Sequence, residues 1–138
     1  MRRHAGVLAV ISGGGAVGSV ARYLVELALP TRPGSFPWGT FAVNIVGCLL
    51  VGLLMVLVTE VWQTGRYLRP FLGVGVLGGF TTFSTLAVET HALAARGQWL
   101  LTNVYVVGSV LAGLTAVWVG VILARLLARR PLGRRARR

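Results

Sequence analysis

Apolar residues fill four stretches of the chain, at about 5–29, 39–58, 70–95 and 99–126, with short polar or proline-rich segments between them. A helix needs roughly 20 apolar residues to cross the hydrocarbon of a bilayer. Each stretch has that length, so the pattern predicts an all-α membrane protein with four transmembrane helices in a single domain. Pro30, Pro33 and Pro37 end the first span, because proline lacks the amide that a continuing helix needs. Glu60 to Arg69 is a polar connection, and residues 127–138 form a basic tail. Arg2 and Arg3 followed by apolar sequence and Ser19-Val20-Ala21 have the look of a secretion signal. Glycines interrupt that apolar core, however, and Arg22-Tyr23 leads into more helix-compatible sequence, so the segment reads as a span.

The polar positions inside the spans change the picture most in the third. There Gly78-Gly79-Phe80-Thr81-Thr82-Phe83-Ser84-Thr85-Leu86 places paired glycines and four hydroxyls mid-span. A glycine destabilises a helix by roughly 1 kcal/mol relative to alanine, and hydroxyls offer the backbone other partners. The expectation is a helix broken near the bilayer midplane. Such breaks persist only where they are buried in protein or line a polar cavity, and they expose carbonyls and helix N-termini to ions. The plainer alternative is a small-residue packing surface with hydroxyls bonded back to their own helix.

Elsewhere the polar exceptions are few. Gly14 and Gly18 share a face in span one and permit close helix contact. Arg22 and Glu26, four apart, are spaced to pair; Arg22 either faces protein or water at depth or snorkels to the interface. Thr40 and Asn44 share a face of span two, where an asparagine most often bonds a neighbouring helix. Glu89 must be neutral, paired or in a wet vestibule. Tyr105, Ser109 and Gly113 make one face of span four.

Composition agrees with a membrane bundle: of 138 residues, 55% are hydrophobic, and the mean hydropathy is +0.76. The formal charge of +11 would suggest nucleic acid in a soluble protein. Here the arginines lie at the ends of apolar runs, so topology and anionic lipid account for them and no nucleic-acid partner is expected. Arg2, Arg3, Arg66, Arg69 and those from Arg125 to Arg138 fall on one side, against Arg32 and Arg96 on the other. This bias puts both termini in the cytoplasm of a cell whose inner (plasma) membrane holds the chain. The tail binds anionic lipid at about 1 kcal/mol per arginine near the surface. Cys48 stands alone, and His4 and His91 lack ligand neighbours, so neither a disulfide framework nor a thiolate metal site is expected. Scattered glutamates and unpaired histidines make no acid–base constellation, so the chain does not read as an enzyme. The neutral donors at depth (Thr40, Asn44, Thr81, Thr82, Ser84, Thr85, Tyr105, Ser109) suit a small anion that is dehydrated but not trapped. Phe83 can add the positive edge of its ring.

Gly-Gly-x-Thr-Thr-Phe-Ser-Thr at 78–85 resembles the signature of the Fluc/CrcB fluoride channel family, as do Gly14-Gly15-x-x-Gly18-x-x-x-Arg22-Tyr23 and Gly39-Thr40-x-x-x-Asn44-x-x-Gly47. The resemblance covers all four spans. It implies an antiparallel two-subunit channel that passively exports fluoride. It implies a structural sodium ion on the backbone carbonyls of Gly78 and Thr81. It also implies that Asn44, Phe83, Ser84, Thr85, Tyr105 and Ser109 line the pore, with Arg22, Thr40 and Glu89 at the vestibule or in support.

Two departures stand out. Leu86 occupies the family's second phenylalanine position, and Gly113 stands where many members have a serine. Leucine has no ring edge to offer an anion. The one-sided charge also conflicts with insertion in both orientations, so a heterodimer with a paralogous subunit is favoured over a homodimer. Two other readings remain: a small proton-coupled multidrug exporter, which would need an exchangeable carboxylate central in span one, and a non-conducting supporting subunit.

Overall fold

The computed structural model describes residues 2–61 and 66–128. The basic tail beyond residue 128, and part of the connection after the second span, lie outside the described residues. Helix α1 runs Arg2–Ala28 and α2 runs Trp38–Val56, the latter continuing as a π-helical segment over Leu57–Val61. A second π-helical segment, Pro70–Leu77, leads into α3 (Gly78–Phe80), then α4 (Phe83–Ala95) and α5 (Trp99–Ala128). The helices long and apolar enough to cross a membrane cover Ala5–Ala28, Trp38–Glu60, Pro70–Ala95 and Trp99–Ala128. The protein is therefore a multi-pass membrane protein, all-helical among the described residues.

The spans pack as two pairs. In one, α2 lies along α5 through glycines: a Cβ on Gly52 would clash with the Val117 carbonyl, and one on Gly120 with the Leu49 carbonyl. The buried residues of α5 are Thr102, Tyr105, Ser109, Gly113, Ala116, Gly120 and Ala124, a stripe repeating every three or four residues. In the other pair, α1 packs against Pro70–Leu77 and α3. Gly14 faces the Phe71 carbonyl and Gly75, Gly18 faces the Val76 carbonyl, and Gly79 faces the Gly15 carbonyl. With no hydrophobic drive between helices in lipid, close backbone approach through small residues is what holds such pairs.

Past Phe80 the third span changes neighbour. Contacts with α1 end, and α4 packs instead on α5 and the start of α2. The loop from α1 to α2 carries Gly34 at φ 81°, and the turn from α4 to α5 carries Gly97 at φ 73°. Positive φ suits glycine because it has no Cβ to clash. Phe36 from that first loop packs edge-on against Tyr105 at 5.3 Å and beside Trp38 at 4.5 Å, which fixes the entry to α2 over α5.

Candidate functional site

Between α3 and α4 the backbone is extended at two residues, Thr81 (φ −78°, ψ 155°) and Thr82 (φ −145°, ψ 119°). Asn44 on α2 clamps this point from both sides. Its Nδ2 donates to the Thr82 carbonyl at 2.9 Å, and its Oδ1 accepts from the Thr82 amide at 2.9 Å. A side-chain amide has the same donor–acceptor pair as a peptide unit, so one asparagine satisfies an interrupted residue completely. The Thr82 hydroxyl then accepts the Thr85 amide at 3.1 Å, capping α4. The same hydroxyl donates to Thr85 Oγ1 at 2.9 Å and lies 3.2 Å from Ser84 Oγ. Thr81 stays attached to the preceding turn, its amide and hydroxyl both donating to the Leu77 carbonyl at 3.0 Å. Its methyl sits against Gly47, where any Cβ would collide with it.

This arrangement has a consequence for two carbonyls. In an unbroken helix the Thr82 amide would serve Gly78, and the Thr85 amide would serve Thr81. Here those amides go to Asn44 and to the Thr82 hydroxyl. The carbonyls of Gly78 and Thr81 are thereby released from the helical ladder, three residues apart. A hard cation takes oxygen ligands of this kind, so the two residues fit the sodium role that the sequence resemblance implies.

Asn44 and Phe83 line two open grooves that meet at this point. The larger, about 670 Å³, also includes Leu86, His91, Trp99 and Ser109. The smaller, about 280 Å³, includes Cys48, Thr81 and Thr82. Phe83 is 82% exposed, so no described residue packs over its ring. Ser109 is buried, yet its hydroxyl has no hydrogen-bond partner among the described residues. Asn44 keeps a second N–H beyond the one given to Thr82. The groove thus combines an apolar wall and an aromatic ring with unspent donors.

A second polar cluster lies along α4. Glu89 accepts from the Thr40 hydroxyl on Oε1 at 3.0 Å and from the Tyr105 hydroxyl on Oε2 at 2.7 Å. Thr40 and Tyr105 are both buried, so three spans converge on one carboxylate. The structure places Tyr105 in this cluster, fully buried, and not on the open groove where Asn44, Phe83 and Ser109 lie. Glu89 also borders a small opening of about 150 Å³ edged by Arg32, Arg96 and Gly34. The expected Arg22–Glu26 pair does not form: Arg22 Nε and Glu26 Oε1 are each buried without a hydrogen-bond partner among the described residues. The four-residue spacing brings their Cα atoms onto one face, but side-chain direction decides whether the heads meet. Sequence reasoning did not anticipate the bidentate Asn44–Thr82 contact or the convergence on Glu89. The shared face of Thr40 and Asn44 was the signal for both, since the two residues serve the two clusters one turn apart.

Residues 9–121 match the family described as CrcB-like protein, Camphor Resistance (CrcB). The chain belongs to the CrcB family. It is 52% identical over 119 residues to a Nocardia farcinica protein named fluoride-specific ion channel FluC 2, covering 86% of this chain and 85% of that protein. A Streptomyces coelicolor protein named fluoride-specific ion channel FluC 1 is 50% identical over 124 residues, covering 90% of this chain and 80% of that protein. A Solibacter usitatus protein, fluoride-specific ion channel FluC, is 47% identical over 117 residues, covering 84% and 96%. The matched region holds every residue of both polar clusters in this CrcB chain.

Proposed function

We propose that this chain is a subunit of a fluoride-specific channel that lets fluoride leave the cytoplasm passively. The observation that carries the reading is identity of about half, over most of both chains, to relatives of that name. The extended pair Thr81–Thr82 then lies near the bilayer midplane, where the third span is broken. Gly78 and Thr81 hold a sodium ion on their released carbonyls, which supplies a fixed positive charge beside the anion's route. Asn44, Phe83, Ser84, Thr85 and Ser109 line that route, and Glu89, held in place by Thr40 and Tyr105, lies beyond it at the opening edged by Arg32 and Arg96. Arg22 sits at the vestibule or supports the interface.

One subunit leaves the grooves at Asn44 and Phe83 open, so a second wall is required. An antiparallel partner supplies it and turns each groove into a pore. The arginine bias fixes this chain with both termini in the cytoplasm of the inner (plasma) membrane, so the partner is a paralogous subunit of opposite orientation. Leu86 leaves one aromatic position empty, so only one of the two pores is complete. Proton-coupled export is disfavoured, because Glu26 lies near the end of α1 and not at its centre.

Fluoride efflux from liposomes tests the reading. This chain with a co-expressed partner is expected to give fluoride flux that needs no proton gradient. Flux from this chain alone would remove the heterodimer. Silence in both cases would leave a supporting subunit, and gradient-dependent transport would leave an exporter. Leu86→Phe is expected to raise flux in whichever assembly conducts.

A further inference from the structure

A third groove, of about 500 Å³, lies away from the polar clusters, between α2 and the π-helical segment Pro70–Leu77. Its walls are apolar, formed by Val51, Leu54, Val74 and Leu77 among others, and Arg69 is the one charged residue among the described residues that line it. Arg69 stands at the end of the third span, beside Pro70, and donates Nη2 to the Val58 carbonyl at 3.3 Å. That bond uses one of the five guanidinium N–H groups and fixes the head at the groove mouth. From Val51 to Val58 the groove runs about 10 Å along α2 at 1.5 Å per residue, a large part of one leaflet's roughly 15 Å of hydrocarbon. Met55 and Val74, on its rim, are 56% and 62% exposed. Gly73 deepens it: a Cβ there would find Leu54 only at 3.7 Å, ordinary contact distance.

We infer that this groove holds one acyl chain of an anionic phospholipid, with the lipid phosphate on Arg69. The charge at the mouth, the apolar channel below it and the match to leaflet depth all select a lipid with a phosphate head and a hydrocarbon tail. A phosphate matches the fork of donors that arginine presents, and the dry walls have no donor for a polar occupant. The inner end of the groove, Leu77, directly precedes Gly78, so the lipid braces the segment that carries the released carbonyls.

Native mass spectrometry of the full-length protein with added phosphatidylglycerol or phosphatidylcholine tests this. Arg69→Gln is expected to lower retention of phosphatidylglycerol about fivefold and to leave phosphatidylcholine unchanged. Gly73→Leu, which fills the groove, is expected to lower retention of both. The basic tail is present in every variant, so its contribution cancels in the comparison. A phosphatidylglycerol with a photoreactive acyl chain, used on the unaltered protein, is expected to label residues 51–58 and 73–77. Unchanged phosphatidylglycerol retention in Arg69→Gln, or label confined to other segments, would overturn the site. So would disulfide trapping of Met55→Cys between two subunits, since the groove would then be a protein interface.

Discussion

The two halves of the third span are held by different physics. Pro70–Phe80 is locked to α1 by backbone contact, glycine against carbonyl, with no room for a side chain at Gly14, Gly18, Gly75 or Gly79. Phe83–Ala95 has no close backbone approach to α1; it packs on α5 and the start of α2, tied there by the hydrogen bonds of Glu89 to Thr40 and Tyr105, with Asn44 holding Thr82 just before it. Steric locking fixes position and tolerates no change. Hydrogen bonding at depth fixes position while leaving donors such as the Ser109 hydroxyl unspent at the groove. The two halves are held in different ways, so substitutions in each should fail differently.

The largest effect is expected on the locked side. In Gly18→Ala the new methyl would meet the Val76 carbonyl and the Phe80 amide. Backbone cannot move aside without parting the helices, so folded protein should be lost, read as a collapse of the monodisperse chromatographic peak. Gly13→Ala is the control, since nothing lies within 4 Å of a Cβ there. It should fold as well as the native chain or better, by up to about 1 kcal/mol of helix propensity. Equal damage from both would mean that glycine flexibility, and not close approach, is what α1 needs.

Next comes the clamp. Asn44→Ala removes two 2.9 Å bonds and orphans the Thr82 amide and carbonyl. An unsatisfied buried group costs about 1–3 kcal/mol. The protein should still insert, because the α1 and α5 contacts are untouched, but fluoride efflux should fall about tenfold or more. Asn44→Asp is the sharper test. Its ionised carboxylate retains an acceptor for the Thr82 amide and loses the donor to the carbonyl, so partial flux at a pH high enough to ionise it would separate the two halves of the clamp.

How much of this could be read from the residues alone follows the same division. Hydropathy marks the four spans because the bilayer imposes a length on each. Gly14 and Gly18 marked the α1 contact surface, since a four-residue repeat of small residues has few other uses in lipid. Tyr105, Ser109 and Gly113 were legible as one face of α5, though the burial of that face was not. Cross-span contacts were not legible, because periodicity assigns a residue to a face but not to a partner. Glu89 could be seen to need donors, yet nothing in one chain's order says that Thr40 and Tyr105 supply them. Arg22 and Glu26 show the converse error: the spacing invited a pair, and the side chains do not meet. The π-helical turns at Leu57–Val61 and Pro70–Leu77 left no signature, because they alter the winding of the helix without altering its composition.

A smaller effect is expected at Glu89. Glu89→Ala strands the hydroxyls of Thr40 and Tyr105, both buried, at about 1–3 kcal/mol each. Glu89→Gln should cost far less, about 1 kcal/mol or below, because a hydroxyl can turn to accept from an amide as readily as it donates to a carboxylate. Thermal unfolding of the two variants in detergent checks this. If Gln is as damaging as Ala, the negative charge itself matters and not merely its two acceptors. A double-mutant cycle with Tyr105→Phe then measures the coupling directly.

The smallest effect is expected at the other end of the bundle. Arg125 donates Nε and Nη2 to Glu60 Oε1 at 3.2 and 3.1 Å, joining α5 to the end of the second span. Both side chains are about half exposed, 54% and 45%, so solvent and salt screen the pair and its worth is under about 1 kcal/mol. Arg125→Gln should therefore leave unfolding nearly unchanged and flux intact. It also removes one positive charge from the side that sets orientation, but Arg66, Arg69 and the arginines after Arg125 remain there. Tag-accessibility mapping should still find a single orientation for this variant. Replacing Arg2, Arg3 and the arginines after residue 128 as well leaves Arg66 and Arg69 against Arg32 and Arg96, and there the chain should begin to insert both ways. If a balanced chain then conducts fluoride without a partner, charge alone had been enforcing the heterodimer. If it inserts both ways and stays silent, Leu86 is the reason that two copies of this chain do not make a pore.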